Sequence, residues 1–235
     1  MPKPTLLLLH GALGSPATLH PLADLLAADF TVKTLAFAGH GGREVNSATF
    51  TLPAFGAEVL AFLQAEPYPV HVFGYSMGGY AALLAARQKP ARLASLTTLG
   101  TKLDWSPESA AAETRQLDPV AMQAKVPAFV EQLRELHAPT DWATVVTATA
   151  QLMRAADAAP PLASADYPAI LVPVQLLVGD ADRTVDASVA AAVAAQLPHG
   201  EFALLPDTPH PLARVNLELL AGRVRRFAGQ HSLLQ

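Results

Sequence analysis

The chain has 235 residues, 51% hydrophobic and 15% charged, enough apolar sequence to bury one substantial core and too much for a disordered chain. Its net charge of −4, with lysine and arginine scattered rather than clustered, offers no basic surface to a phosphate backbone and argues against a nucleic-acid partner. There is no cysteine, which excludes disulfides, thiolate nucleophiles and cysteine-based zinc sites.

At the start, Met1-Pro2-Lys3 and Leu6 to Leu9 look only superficially like a secretory leader. The apolar run is short and passes into His10-Gly11 without a small-residue cleavage site. No uninterrupted apolar run approaches membrane-spanning length, so the expectation is a soluble, cytoplasmic protein with no membrane partner. Thr5 to Leu9, flanked by Pro4 and Gly11, reads as a strand buried on both faces of a parallel sheet. A glycine loop, His10 to Ser15, leads into a predicted helix over 16–28, with Ser15 placed to cap it. Phe30 to Phe37 reads as a second strand, followed by the loop Ala38-Gly39-His40-Gly41-Gly42 and a helix over Leu52 to Ala65, with Pro53 in its first turn.

Val70 to Tyr75 is the third predicted strand, followed after Ser76 by a helix to about Gln88 that Pro90 stops. Leu93 to Leu99 is the fourth. From Thr101 to about Pro168 the strand-helix alternation ceases. Trp105, Met122, Phe129, Trp142 and Met153 lie there in segments of helical spacing broken at Pro107, Pro119, Pro127 and Pro139, which predicts three or four short inserted helices. Strands over Ile170 to Val178 and Phe202 to Leu205, helices over Val185 to Leu197 and Leu212 to Phe227, and a short tail after Gly229 complete the chain. The expected fold class is α/β, a mostly parallel doubly wound sheet of about six strands. The expected division is a core of 1–100 and 169–235 with a helical lid, 101–168, inserted in it.

The chemistry centres on Gly74-Tyr75-Ser76-Met77-Gly78-Gly79, where a strand turns into a helix through a serine flanked by glycines. Such a turn needs glycine because side chains would clash, and it pushes the serine hydroxyl out above the sheet. A serine hydroxyl is a weak nucleophile at neutral pH and needs a base, and a third group to orient that base. Strand ends of a parallel sheet open on one edge, so Ser76, Asp180, Asp182 and the loop from Asp207 to His210 are expected to converge. The residues alone leave Asp180 and Asp182 as competitors for the orienting acid.

Five motifs then stand in one order: His10-Gly11, Gly39-His40-Gly41, the elbow from Gly74 to Gly78, Gly179-x-x-Asp182-x-x-Val185, and a late His210. On these the chain resembles the α/β-hydrolase fold superfamily over nearly its whole length. The resemblance implies Ser76 as nucleophile, His210 as general base and then acid, and Asp182, which fits the family spacing before Val185, as the orienting acid. Met77, at the start of its helix, supplies one oxyanion-hole N–H, and the resemblance places the other at Ala12. One departure is visible: many members read Asp-x-x-Gly-His-Gly where this chain has Ala36-Phe37-Ala38-Gly39-His40-Gly41.

The resulting expectation is a serine hydrolase of a small hydrophobic ester or thioester, working through an acyl-enzyme on Ser76. The alternatives are a carbon-carbon bond hydrolase or menaquinone-pathway-like lyase using the same residues, and a weakly catalytic ligand receptor on the same fold. The partner is a small-molecule acyl substrate; no residue is assigned to a cofactor or a metal, and the oligomeric state is open. A phosphate-binding loop at Gly11 to Gly14 lacks the required glycine spacing and lysine. Arg43 is weighed as a contact for a substrate carboxylate against a solvated surface arginine. His10 and His40 are read as loop-shaping and His20 and His71 as structural or surface residues, while His137, His199 and His231 receive no role.

Overall fold

In the computed structural model, residues 3–105, 111 and 113–231 are described; Met1, Pro2, Pro107 and the end of the tail, 232–235, lie outside them. The strands are β1 (Thr5–Leu9), β2 (Thr31–Leu35), β3 (Val70–Tyr75), β4 (Leu93–Leu99), β5 (Val174–Gly179) and β6 (Gly200–Leu205). They form one sheet in the order β2-β1-β3-β4-β5-β6, with every pair parallel. The α-helices with described bounds are α1 (His20–Leu26), α2 (Leu52–Ala65), α3 (Met77–Arg87), α4 (Pro119–Lys125), α5 (Pro127–His137), α6 (Trp142–Ala158), α7 (Ala187–Ala194) and α8 (Leu217–Gln230). Among the described residues, no helix is long and apolar enough to cross a membrane.

The unbroken leucine run of β1 explains why the sheet is covered on both sides. Successive side chains point to opposite faces. Leu6 and Leu8 therefore pack with Phe73, Leu99, Leu177 and Leu205 beneath α1 and α8, while Leu7 and Leu9 pack with Val70, Val72, Leu96 and Leu176 beneath α2, α3 and α7. Each fully buried leucine contributes roughly 2 kcal/mol by removing its side chain from water.

β1, β3, β4 and α2 occupy the predicted bounds; other boundaries shift for local reasons. β2 ends at Leu35 rather than Phe37 because the next amides leave the ladder: Phe37 N donates to His10 Nε2 (3.3 Å) and Ala38 N to Glu58 Oε1 (3.0 Å). β5 starts at Val174 rather than Ile170, after a 3₁₀ turn at Tyr167–Ala169 and after Pro173, which has no N–H to give a ladder. α8 starts at Leu217 because Leu212–Arg214 forms a separate 3₁₀ turn and Asn216 Oδ1 caps the helix at Leu219 N (3.1 Å). The predicted helix over 16–28 divides into a 3₁₀ turn, Pro16–Leu19, and α1.

Between β4 and β5 the chain leaves the sheet and carries α4, α5 and α6. The breaks expected at Pro119 and Pro127 fall there, each proline beginning a new helix, as suits a residue whose missing N–H would be unpaired at a helix start anyway. Met122 and Trp142 pack with Val130, Leu133 and Val146 in a small core of this segment, whereas Phe129 is partly exposed. Trp105 lies outside any helix.

The sheet order also fixes where a ligand site can form. β2 lies on one side of β1 and β3 on the other, so the chain reverses direction across the sheet at the β1–β3 pair. The loops leaving those two strands diverge to opposite faces and leave a crevice at their carboxyl ends. Ser76 follows β3 and the His10–Ser15 loop follows β1, so both open into that crevice.

Candidate active site

Ser76 sits at φ 50° and ψ −116°, a strained conformation for a residue with a Cβ, and it separates β3 from α3. The strain is held by hydrogen bonds on both sides: Ser76 N donates to Leu99 O (2.8 Å), while Gly79 N (3.0 Å) and Thr101 Oγ1 (3.1 Å) donate to Ser76 O. The glycines serve close packing. A Cβ on Gly78 would stand 2.6 Å from the carbonyl oxygens of Leu9 and His10, and one on Gly74 would stand 2.5 Å from Gly79 Cα, so both approaches are closed to any other residue.

His210 lies beyond β6, with its Nε2 3.4 Å from Ser76 Oγ. That is long for a hydrogen bond, as is common for such pairs before a substrate is bound. Its Nδ1 is 2.7 Å from Asp182 Oδ2. The other oxygen, Asp182 Oδ1, accepts from the amides of Thr184 (2.8 Å) and Val185 (3.1 Å), which explains the spacing from Asp182 to Val185. Burial pushes the Asp182 carboxyl up, but the hydrogen bond and charge of His210, with those two amides, outweigh it and hold the carboxyl below its ordinary range. Asp180 takes a different part: its Oδ1 accepts from Thr208 N (3.2 Å) and braces the loop that carries His210.

Three further residues position this group. Tyr75 donates its phenol to His210 O (2.9 Å), and its ring lies 5.6 Å from the imidazole; burial pushes that phenol up to about 12, so it remains a neutral donor. Gly100, at φ 60°, lets the end of β4 pass beneath the pair, since a Cβ there would meet the His210 ring at 3.2 Å. Thr101 ties that same segment to the elbow. Sequence reading passes over all three, because their roles depend on contacts with distant parts of the chain. Only the glycine carries a sequence signal, at the end of a predicted strand.

Ala12 and Met77 flank the serine. A Cβ on Gly11 would lie 2.8 Å from the Tyr75 ring and 3.2 Å from Ser76 Cβ, which shows how closely the β1 loop approaches the elbow. Among the described residues, neither the Ala12 nor the Met77 N–H is taken by a protein acceptor. Both residues line a cavity of about 260 Å³ over Ser76 and His210, walled by Tyr80, Trp105, Leu152 and Met153. One edge is polar: Lys102, only 9% exposed, lies 3.0 Å from Glu113 and 3.6 Å from Asp104. Arg43 is not in this cavity; it pairs with Glu58 and donates to Ala36 O.

Behind the β1 loop, three histidine rings cluster, with centroids 4.9 Å apart for His10 and His40 and 5.7 Å for His40 and His137. His10 donates from Nδ1 to Gly11 O (2.8 Å) and accepts at Nε2 from Phe37 N; these bonds together require the neutral ring. His137, on α5, donates to Leu13 O (3.1 Å) and accepts from Gly41 N (3.3 Å), which joins the inserted segment to two loops of the sheet edge. His71, on β3, bonds Ser95 Oγ (2.8 Å). Burial lowers His10 and His71 to about 4, well under their unfolded value near 6.5.

Between those values the unfolded chain binds more protons than the folded one, so stability falls as pH drops from 6.5 to 4, by about 3 kcal/mol for each ring. Urea midpoints measured at pH 7, 5.5 and 4.5 are expected to fall steadily at constant slope. A flat midpoint across that range would contradict the buried neutral histidines.

Comparison with known proteins places these features in context. The model of the alpha/beta hydrolase family matches residues 6–221. A pimeloyl-[acyl-carrier protein] methyl ester esterase of Aromatoleum aromaticum is 30% identical over 236 residues, covering 89% of this chain and 92% of the relative. Among solved structures, NosK from Streptomyces actuosus superposes with a TM-score of 0.79 at 21% identity, covering 97% of this chain and 99% of that one. A thermophilic esterase from Thermogutta terrifontis does so with a TM-score of 0.76 at 23% identity, covering 98% and 92%. At those identities the two structures speak for the fold alone.

Proposed function

The chain belongs to the α/β-hydrolase family and is a carboxylesterase-like hydrolase; from that premise we propose that it cleaves a small, hydrophobic ester or thioester through an acyl-enzyme on Ser76. The observation that carries the proposal is the run of contacts from Ser76 Oγ to His210 Nε2 (3.4 Å) and from His210 Nδ1 to Asp182 Oδ2 (2.7 Å).

In this reading the Asp182 carboxylate holds the Nδ1–H tautomer of His210, leaving Nε2 free to accept a proton. Ser76 Oγ bonds to the acyl carbon as its proton passes to Nε2. The carbonyl oxygen becomes an oxyanion, held by the Ala12 and Met77 amides, and each such donor lowers the barrier by about 3 kcal/mol in comparable sites. The tetrahedral intermediate collapses, and His210 returns the proton to the departing alcohol or thiol. Water, deprotonated by the same Nε2, then attacks the acyl-Ser76 ester and releases the acid. The mostly apolar walls of the 260 Å³ cavity support a hydrophobic substrate, and its size supports a small one. The segment carrying α4 to α6 supplies Leu152 and Met153 to that cavity and is read as a lid.

A fluorophosphonate probe tests the nucleophile directly. The wild type is expected to take up one phosphonyl group per chain, on the peptide containing Ser76, and Ser76→Ala to take up none. Failure of the wild-type protein to label would sink the proposal.

A further inference from the structure

A second cavity, of about 410 Å³, lies beside the first, between α6 and the segment leading into α2. Ala148, Leu152 and Ala155 recur along α6 at helical spacing and, with Ala159 just past its end, form one wall, and Ser47 and Phe50 stand in the wall opposite. Leu52 and Leu152, both buried, line both cavities and are therefore the partition between them.

We propose that the hydrocarbon chain of an ester held at Ser76 passes over the Leu52–Leu152 partition and lies in this second cavity. The inference rests on the esterase reading and extends it to esters with a longer hydrocarbon chain than the first cavity alone would hold. None of the residues lining the second cavity is ionisable, so the lining offers a charged group no ion-pair partner, whereas a hydrocarbon needs none. Its polar side chains, Ser47, Thr51 and Gln151, are neutral, and Thr51 Oγ1 accepts from Ala54 N at the helix cap (3.2 Å). The two cavities meet at Leu52 and Leu152, so a chain leaving an ester at Ser76 has the second cavity directly beside it. The first cavity, about 260 Å³, falls just below the usual range for ligand sites of roughly 300–1,000 Å³. Joined to the second, it lies well inside that range.

The test is a chain-length series of p-nitrophenyl esters, acetate to decanoate, kept below their micelle concentrations. In the wild type, kcat/KM is expected to rise by roughly fourfold for each methylene buried. Ala155→Trp and Ser47→Trp obstruct the cavity from opposite walls, at positions exposed enough to accept the larger side chain. Each is expected to lower the decanoate-to-butyrate ratio of kcat/KM at least tenfold. A parallel series of alkyl acetates tells which side of the ester enters, since the fall then follows the alkoxy chain instead of the acyl chain. If both variants fold, judged by unchanged unfolding midpoints, and neither ratio moves in either series, the second cavity holds no substrate chain and the inference is overturned. If the wild type turns over no ester of any length, the esterase reading fails and the inference with it, a distinguishable result.

Discussion

Replacing Ser76 by alanine is expected to lower kcat/KM for p-nitrophenyl butyrate by about 10⁴- to 10⁶-fold, the scale on which removing the nucleophile acts in comparable hydrolases. The substitution removes only Oγ. It keeps the Cβ, and the hydrogen bonds that hold the elbow use the backbone of Ser76, from Leu99, Gly79 and Thr101. The fold should therefore survive, with an unfolding midpoint within a few degrees of the wild type. On the proposed reading, what is expected to remain after the loss is binding in the 260 Å³ cavity and polarisation of the carbonyl by the Ala12 and Met77 amides. Equal turnover by the variant and the wild type would mean that hydrolysis does not pass through Ser76.

Asp182→Asn is expected to lower kcat by about 10⁴-fold, as the equivalent change does in a well-studied triad. The geometry here says why. Asp182 Oδ1 faces two backbone donors, Thr184 N and Val185 N, and Oδ2 faces His210 Nδ1. An asparagine keeps its oxygen toward the amides, which turns its NH₂ toward Nδ1. His210 must then accept at Nδ1 and carry its proton on Nε2, where it points at Ser76 Oγ as a donor and cannot take the serine's proton. Asp180→Asn is the control. Its amide oxygen can still accept from Thr208 N, so the expected loss is less than about fivefold, in line with replacing one exposed hydrogen-bond acceptor by another. Purified variants assayed side by side with one ester decide it, and a larger loss at Asp180 would reverse the assignment.

How much of this was legible beforehand varied with the range of the interaction. β1, β3, β4 and α2 are readable because each is an apolar run bounded by glycine, proline or a capping residue, all local signals. The premature end of β2 was not readable, since it depends on His10 and Glu58 drawing amides out of the ladder from 27 and 20 residues away. The same limit applied to the site. Ser76, Asp182 and His210 stood out by motif and order, whereas Tyr75 acts on a residue 135 positions later and His137 on one 124 positions earlier. Neither carries a pattern in its own neighbourhood.

The sequence by itself determined the alternation of strands and helices, and with it a parallel sheet whose strand ends share one edge, because hydrophobic period and turn residues are properties of short segments. It also singled out Ser76, Asp182 and His210 as the candidates for chemistry there. Only the tertiary structure decided how they meet: which oxygen of Asp182 is left for His210 once two amides have claimed the other, and how the β1 loop lies against the elbow at Gly11. The second cavity beyond Leu52 and Leu152 likewise exists only in three dimensions. These features depend on packing between segments far apart in the chain, and their separations are set by the whole sheet and its inserted helices, not by any stretch of residues read alone.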